Sequence, residues 1–238
     1  IAYEVFRRAG VPTERTSYAE VTINGAPYGL YTIIETPDDR FLKRNFADPD
    51  GNLYDGKYIL WDNGSYTLLD FNIGVDDLFG LEEGTDVGHE DVRAVSAAIA
   101  ANAGTPNYVP ALGATMDWDA VHREWAVEQW VGHLDGYAMN TNNYRVYFDP
   151  STGLGQIIPW DMDYTFLPDY SWGMSWGVPR GQLAAWCWAD SACVAAHKVA
   201  VAEVIAAVDI ADMQAFFSRI DATTWDASQR DPRQECGA

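Results

Sequence analysis

Residues 130–166, WVGHLDGYAMNTNNYRVYFDPSTGLGQIIPWDMDYTF, carry two clusters of short oxygen-bearing side chains. Asp135 opens the first and is followed by Asn140, Asn142 and Asn143; Asp161 and Asp163 flank Met162 in the second. Carboxylates and amide carbonyls are the donors that a hard cation such as magnesium or manganese takes, and a further carboxylate within reach could accept a proton from a hydroxyl. Two carboxylates one residue apart after an apolar strand repel each other unless positive charge sits between them. The bland alternative makes Asp135 a helix-end residue and the asparagines turn residues. Asp48, Asp50, Asn52 and Asp55 alternate oxygen donors in the manner of a calcium loop but lack the distal Glu of a complete one, and a solvated turn is the preferred reading. Asp76, Asp77, Glu82, Glu83 and Asp86 are expected to form an acidic surface loop.

The elements that must position these groups are legible as pattern. Residues 144–148 and 155–160 alternate as strands, joined by an Asp-Pro-Ser-Thr-Gly turn, and a hairpin there brings the asparagines near the Trp160-Asp161 corner. A helix capped by Asp117 carries Val121, Trp125 and Gln129 on one face, with Ala126 and Trp130 alongside, and delivers Asp135; its tryptophans are expected to be core. Upstream, a short helix over residues 2–8 precedes a hairpin of strands 18–23 and 28–35 around Asn24-Gly25. Glu35 ends that hairpin, where it could hold the lysine or metal of a nucleotide site or simply be a surface carboxylate. Thr36-Pro37-Asp38-Asp39 opens a helix. Residues 90–103 form an Ala-rich helix. Residues 182–220 are helical, the segment 167–180 between them is an aromatic, glycine-rich loop bearing Arg180, and the end of the chain from residue 229 is expected to fray.

Composition narrows the partners. The chain has 238 residues, with 35 acidic against 15 basic side chains and a formal charge of -20, which argues against nucleic acid and anionic membrane as partners. No run is apolar and long enough to span a bilayer. The chain starts at Ile1 inside a helix, without Met, which reads as a processed or truncated piece of a secreted protein. Cys187 and Cys193 flank Ala189-Asp190-Ser191 and are expected to be bonded to each other in an oxidising compartment, leaving Cys236 over.

An Asp and an Asn in one loop, a hairpin, then a second Asp is the order of a phosphoryl-transfer site in protein kinases. His133, Asp135 and Asn140 keep the H-R-D-x-x-x-x-N spacing, with Leu134 in place of the Arg. The segments GVPTERTSYAEVTINGAPYGLYTIIE, GNLYDG, NNYRVYFD and IIPWDMDYTF resemble the spore-coat protein H (CotH) kinase family, over residues 1–166. The resemblance implies an α+β, atypical protein-kinase-like fold, with an N-terminal antiparallel hairpin region and a largely helical C-terminal part. It implies one domain over residues 1–238, upper-lobe-like over 1–87 and catalytic-lobe-like over 88–238, without the family's basic N-terminal strands. It also implies ATP with magnesium or manganese and transfer to Ser or Thr of secreted or cell-surface proteins. By position Asp135 becomes the catalytic acceptor; Asp161 or Asp163 becomes the metal ligand, helped by one of Asn140, Asn142 and Asn143. Glu35 and Arg180 are candidates for nucleotide, phosphate or acceptor. Leu167 stands where family members often carry Gly. A non-catalytic adhesion or assembly module on the same fold is the alternative, and glycoside hydrolysis by Asp135 with Asp161 is a third reading without further support.

Overall fold

The computed structural model describes residues 1–56, 59–60, 62–73, 75, 79–166 and 173–233. Asp76, Asp77, Leu167 and Cys236 therefore lie outside the described residues.

The chain opens with helix α1 (Ala2–Arg8) and the hairpin β1 (Thr16–Ile23) and β2 (Ala26–Ile34). Asn24 and Gly25 both adopt positive φ, the backbone that a two-residue hairpin loop demands. Asp38 caps α2 (Asp39–Asn45) by accepting from the Arg40 and Phe41 amides. Strand β3 (Asn52–Gly56), a short pair β4 (Ile59–Leu60) and β5 (Tyr66–Thr67), and β6 (Phe79–Glu83) follow. Then come α3 (Glu90–Asn102), α4 (Tyr108–Leu112), α5 (Trp118–Val131) and the single-turn α6 (Tyr137–Asn140). β7 (Tyr144–Asp149) and β8 (Leu154–Pro159) form the second hairpin, and α7 (Gln182–Trp188), α8 (Ser191–Ala207) and α9 (Ile210–Gln229) complete the order. The protein is mixed α and β with antiparallel sheets. The largest sheet runs β6-β3-β7-β8, so the hairpin expected over residues 144–160 lies at one side of a four-stranded layer.

Two apolar clusters hold the site in place. Trp125, Tyr137, Val146, Ile157 and Leu183 join α5, α6, the sheet and α7, which confirms Trp125 as core. Val5 and Phe6 of α1 meet Val127 and Val131 of α5, Val204 of α8 and Met213 of α9 in the second. Helix α5 is buried almost all round, because sheet, α1 and α8 each cover a face.

Four sequence expectations are corrected. The helical stretch from residue 182 is broken at 189–190 and 208–209, where Asp190 and Asp209 each start a new helix by capping it. The polar residues after Asp221 stay helical to Gln229. Residues 230–233 do not fray: Asp231 Oδ2 accepts the Leu30 amide at 3.0 Å, and the Arg233 guanidinium lies 3.5 Å over the Tyr28 ring. The acidic stretch is not a free loop either, since Glu82 and Glu83 belong to β6 and Asp86 accepts from the Tyr54 hydroxyl at 2.6 Å.

Cys187 and Cys193 are bonded, joining the end of α7 to the first turn of α8. The two cysteines are six residues apart, and closing a loop that short in the unfolded chain stabilises by about 2 kcal/mol. Cys187→Ala/Cys193→Ala is expected to lower the unfolding free energy by roughly that amount in a urea titration. A midpoint unmoved from that of the oxidised wild type would show that the bond contributes nothing.

Candidate active site

Asp135 sits in the loop between α5 and α6, and its carboxylate collects the three asparagines. Asn140 Nδ2 donates to Oδ1 at 2.6 Å, and Asn142 and Asn143 Nδ2 donate to Oδ2 at 3.2 and 3.0 Å. A carboxylate offers about four acceptor sites, so one remains, on Oδ1, for an incoming hydroxyl. A carboxylate can only accept, so each amide must turn Nδ2 toward Asp135, which leaves each Oδ1 as its outward acceptor. Thr141 and Asn143 both adopt positive φ, a costly backbone for a β-branched residue, and this folds the three amides back onto one side chain.

The loop is held from behind. Glu128 of α5, wholly buried, accepts the Tyr137 and Ala138 amides at 2.8 and 3.2 Å and thereby caps α6. Gly136 has to be glycine here, because a Cβ would lie 2.0 Å from Glu128 Oε1. Glu124, one turn earlier and equally buried, faces Glu128. Burial and mutual repulsion hold Glu124 far above the usual carboxylate range, and burial raises Glu128 too, so the pair keeps at least one proton at neutral pH. Asp70 fastens the other end: it accepts from the Tyr137 hydroxyl at 3.0 Å and from the Gln182 amide at 2.8 Å, and burial lifts its carboxyl to about 6. The Ala138 carbonyl accepts the Arg180 and Gly181 amides, so Arg180 is carried by α6 as well.

Asp161 and Asp163 stand at the end of β8, where Asp161 has positive φ and Met162–Tyr164 make a single 3-10 turn. The Trp160 amide donates to the Asn143 carbonyl at 2.9 Å, which ties this corner to the asparagine loop. Burial, then the charges of Asp163 and Asp135, raises the Asp161 carboxyl, so the three acids share one field. Their oxygens do not all come within 4.8 Å of one another. Among the described residues no ion pair joins Asp161 or Asp163 to a basic side chain. This all-oxygen, negatively charged corner fits a hard divalent cation, whose charge would relieve the repulsion. Asp135, Asn140, Asn142, Tyr164 and Arg180 line one cavity of about 540 Å³, with Arg180 Nη1 3.5 Å from Asn140 Oδ1.

Other candidates lie elsewhere. Glu35 is engaged by the guanidinium groups of Arg15 and Arg44 and lines a separate cavity of about 480 Å³. Both of its oxygens are taken by arginines, and its side chain is 11% exposed. The calcium-loop oxygens are dispersed. Asp48 accepts its own turn's Asp50 amide, Asn52 Oδ1 accepts the Thr85 and Asp86 amides, and Asp55 faces Arg145 at 3.7 Å. Asp50 is exposed at the surface of that turn.

Of the buried polar groups beside the site, Arg145, Glu14, Glu124 and Glu128 escaped the sequence reading, and His133 entered it only for its spacing to Asp135 and Asn140. Arg145 of β7 stacks 4.0 Å over the Trp160 ring, with Nη1 buried and unpartnered. Glu14 is buried near it; desolvation is the main cause that lifts its carboxyl to about 7, although Arg145 pulls the other way. His133 is buried against the corner, and burial lowers its imidazole. The signal available for Glu124 and Glu128 was their position: with Val121 and Val131 they form the i, i+3, i+7, i+10 stripe of a helix otherwise apolar on that face.

Glu14 supplies a pH test. A carboxyl whose pKa rises on folding contributes stability that is whole below its unfolded value and is lost as pH climbs through its folded value. Raising pH from 4.5 to 8 is therefore expected to cost the wild type, relative to Glu14→Gln, on the order of 3 kcal/mol of unfolding free energy. Parallel pH profiles for the two proteins would show that Glu14 titrates as it does in the unfolded chain.

Taken together, the α+β chain holds an amide-clamped Asp and an arginine in one cavity, with an acidic corner nearby. The family model described as CotH kinase protein matches residues 1–186, and the chain belongs to that family. It is also similar to inner spore coat protein H of Bacillus subtilis (strain 168), with 25% identity over 179 residues, 71% of this chain and 46% of that relative. The chain thus spans less than half the length of the curated relative it matches. Among the described residues no single helix is long and apolar enough to cross a membrane.

Proposed function

We propose that the chain is a kinase-like phosphotransferase, secreted or coat-associated, that moves a phosphoryl group from ATP with magnesium or manganese to Ser or Thr of a surface or coat protein. What supports the reading is the gathering of Asp135, Asn140, Asn142 and Arg180 in one cavity, with Asn143 also bonded to Asp135 and with Asp161 and Asp163 close enough for their charges to be felt. The kinase-like division into an upper lobe over 1–87 and a catalytic lobe over 88–238 is part of the same proposal. The coat assignment rests on the name of the relative.

Asp135 orients the acceptor hydroxyl through its remaining lone pair on Oδ1 and takes the proton as the oxygen–phosphorus bond forms. Asn140, Asn142 and Asn143 fix the carboxylate plane, so a hydroxyl meets one geometry. Asp161 and Asp163, with the Oδ1 of Asn142 or Asn143, would hold the divalent ion. When bound, that ion neutralises charge on the phosphate oxygens. Arg180 offers a planar set of donors suited to a phosphate or to the charged flank of an acceptor.

A non-catalytic surface module is the second reading, favoured by Glu35 being tied to two arginines away from the Asp135 cavity. The test is calorimetric titration with magnesium–ATP and manganese–ATP beside transfer of labelled phosphate to a Ser/Thr-rich protein and to the chain itself. Binding with transfer supports the phosphotransferase. Neither binding nor transfer leaves the surface module as the account.

A further inference from the structure

The tightest group of potential ligand atoms among the described residues lies away from the acidic corner, between α5, α7 and α8. His122, Cys187 and Cys193 are buried, and a ligand atom from each lies within 4.8 Å of the others. His122 Nε2 stands 3.7 Å from Cys193 Sγ. His197 follows Cys193 by one helical turn, so both side chains leave the same face of α8, and its ring centre is 5.8 Å from that of His122. His197 is 6% exposed, and its Nε2 faces Gln129 Oε1 at 3.3 Å. An amide oxygen only accepts, so Nε2 carries the hydrogen and Nδ1 the lone pair, and that Nδ1 is buried without a partner. Burial keeps both imidazoles neutral, with His197 pushed down to about 4.

We propose that Cys187, Cys193, His122 and His197 form a redox-gated zinc site, closed to metal while the disulfide stands and binding one zinc ion once it is reduced. Two thiolates and two neutral imidazoles are a complete tetrahedral set for zinc. Zinc–sulfur bonds of ~2.3 Å and zinc–nitrogen bonds of ~2.0 Å put ligand atoms roughly 3.3 to 3.8 Å apart; three of the ligand atoms already lie within 4.8 Å of one another, and His197, outside that group, has to swing inward from one turn along α8 to complete the set. Gln129 behind His197 is the kind of carbonyl that fixes a ligating imidazole. In the gating step a dithiol delivers two electrons and two protons to the disulfide and leaves as its own disulfide. Zinc then displaces both thiol protons as the two zinc–sulfur bonds form. The site involves none of the phosphoryl-transfer residues, so it stands or falls apart from that function.

The experiment uses the full chain, reduced with a phosphine and freed of reductant without air, then titrated with cobalt(II) and with zinc against a chromophoric chelator. The expected result is one equivalent of cobalt giving near-ultraviolet thiolate charge-transfer absorption and visible tetrahedral bands, both removed by zinc. The oxidised chain gives neither. His122→Ala weakens zinc by about tenfold or more, and His197→Ala changes the visible bands while thiolate absorption persists. The wild-type cobalt spectrum tests sulfur ligation without any variant. Absence of thiolate absorption, equal zinc uptake by the oxidised chain, uptake unchanged in His122→Ala, or loss of helical circular dichroism on reduction that zinc does not restore would each overturn the proposal.

Discussion

Asp135→Asn and Asp161→Asn are expected to stop phosphate transfer by different routes. Asp135→Asn removes the acceptor of the hydroxyl proton, and its amide would set an N–H against the amides of Asn140, Asn142 and Asn143. Transfer should fall by roughly 10²–10⁴-fold, the range a positioned acid–base group supplies. Affinity for magnesium–ATP should stay within a few-fold, because no phosphate or metal contact is lost. Asp161→Asn deletes one of the charges that attract the ion. It should therefore lower metal–nucleotide affinity as well as transfer, and excess metal should restore part of the rate. Calorimetry with a fixed-time phosphorylation assay separates the two. Equal loss of nucleotide binding in both variants would mean that Asp135 is itself a metal ligand, and unchanged transfer in Asp135→Asn would remove it from the chemistry.

Glu128→Ala is expected to be the most damaging change outside the acidic cluster. It strips the Tyr137 and Ala138 amides of their acceptor and leaves Glu124 buried without its neighbour. Stranded buried groups cost about 1–3 kcal/mol each, so a loss of roughly 3–5 kcal/mol is expected, with the thermal midpoint down several degrees. Glu128→Gln retains one acceptor oxygen for α6 and should recover most of the stability. If Glu128→Ala unfolds at the wild-type midpoint, the cap does not anchor the site loop.

The hairpins, the Asp117 cap, the core placement of Trp125 and the Cys187–Cys193 pair were legible because each rests on local chemistry: a turn dipeptide, a capping side chain, a periodic stripe, a short separation. Convergence of Asn140 and Arg180 on Asp135 was partly legible, through loop order. Asp70 was not, because its partners Tyr137 and Gln182 are 67 and 112 residues away and no local pattern announces such a contact. The helical run to Gln229 was missed for a related reason. Its polar side chains suggested an end, while its hold on the fold comes from Met213 and from contacts beyond its last turn. The oxygen donors read as a solvated turn rather than a complete calcium loop are engaged separately, Asp48 within its own turn, Asn52 by the Thr85 and Asp86 amides and Asp55 by Arg145, contacts that spacing alone does not announce.

The grip of Asp231 and Arg233 on β2 has a consequence for where this protein can be cut. The family match stops at residue 186, one position before the disulfide and ahead of every α8 and α9 residue in the second cluster. A fragment trimmed to that boundary would expose Val5, Phe6, Val127 and Val131 and free the far strand of the first hairpin from its fastening. Residues 187–233 act as a belt, running along α5 through α8 and buckling onto β2 through Asp231 and Arg233. The smallest piece that keeps this architecture is longer than the segment by which its kinship is recognised.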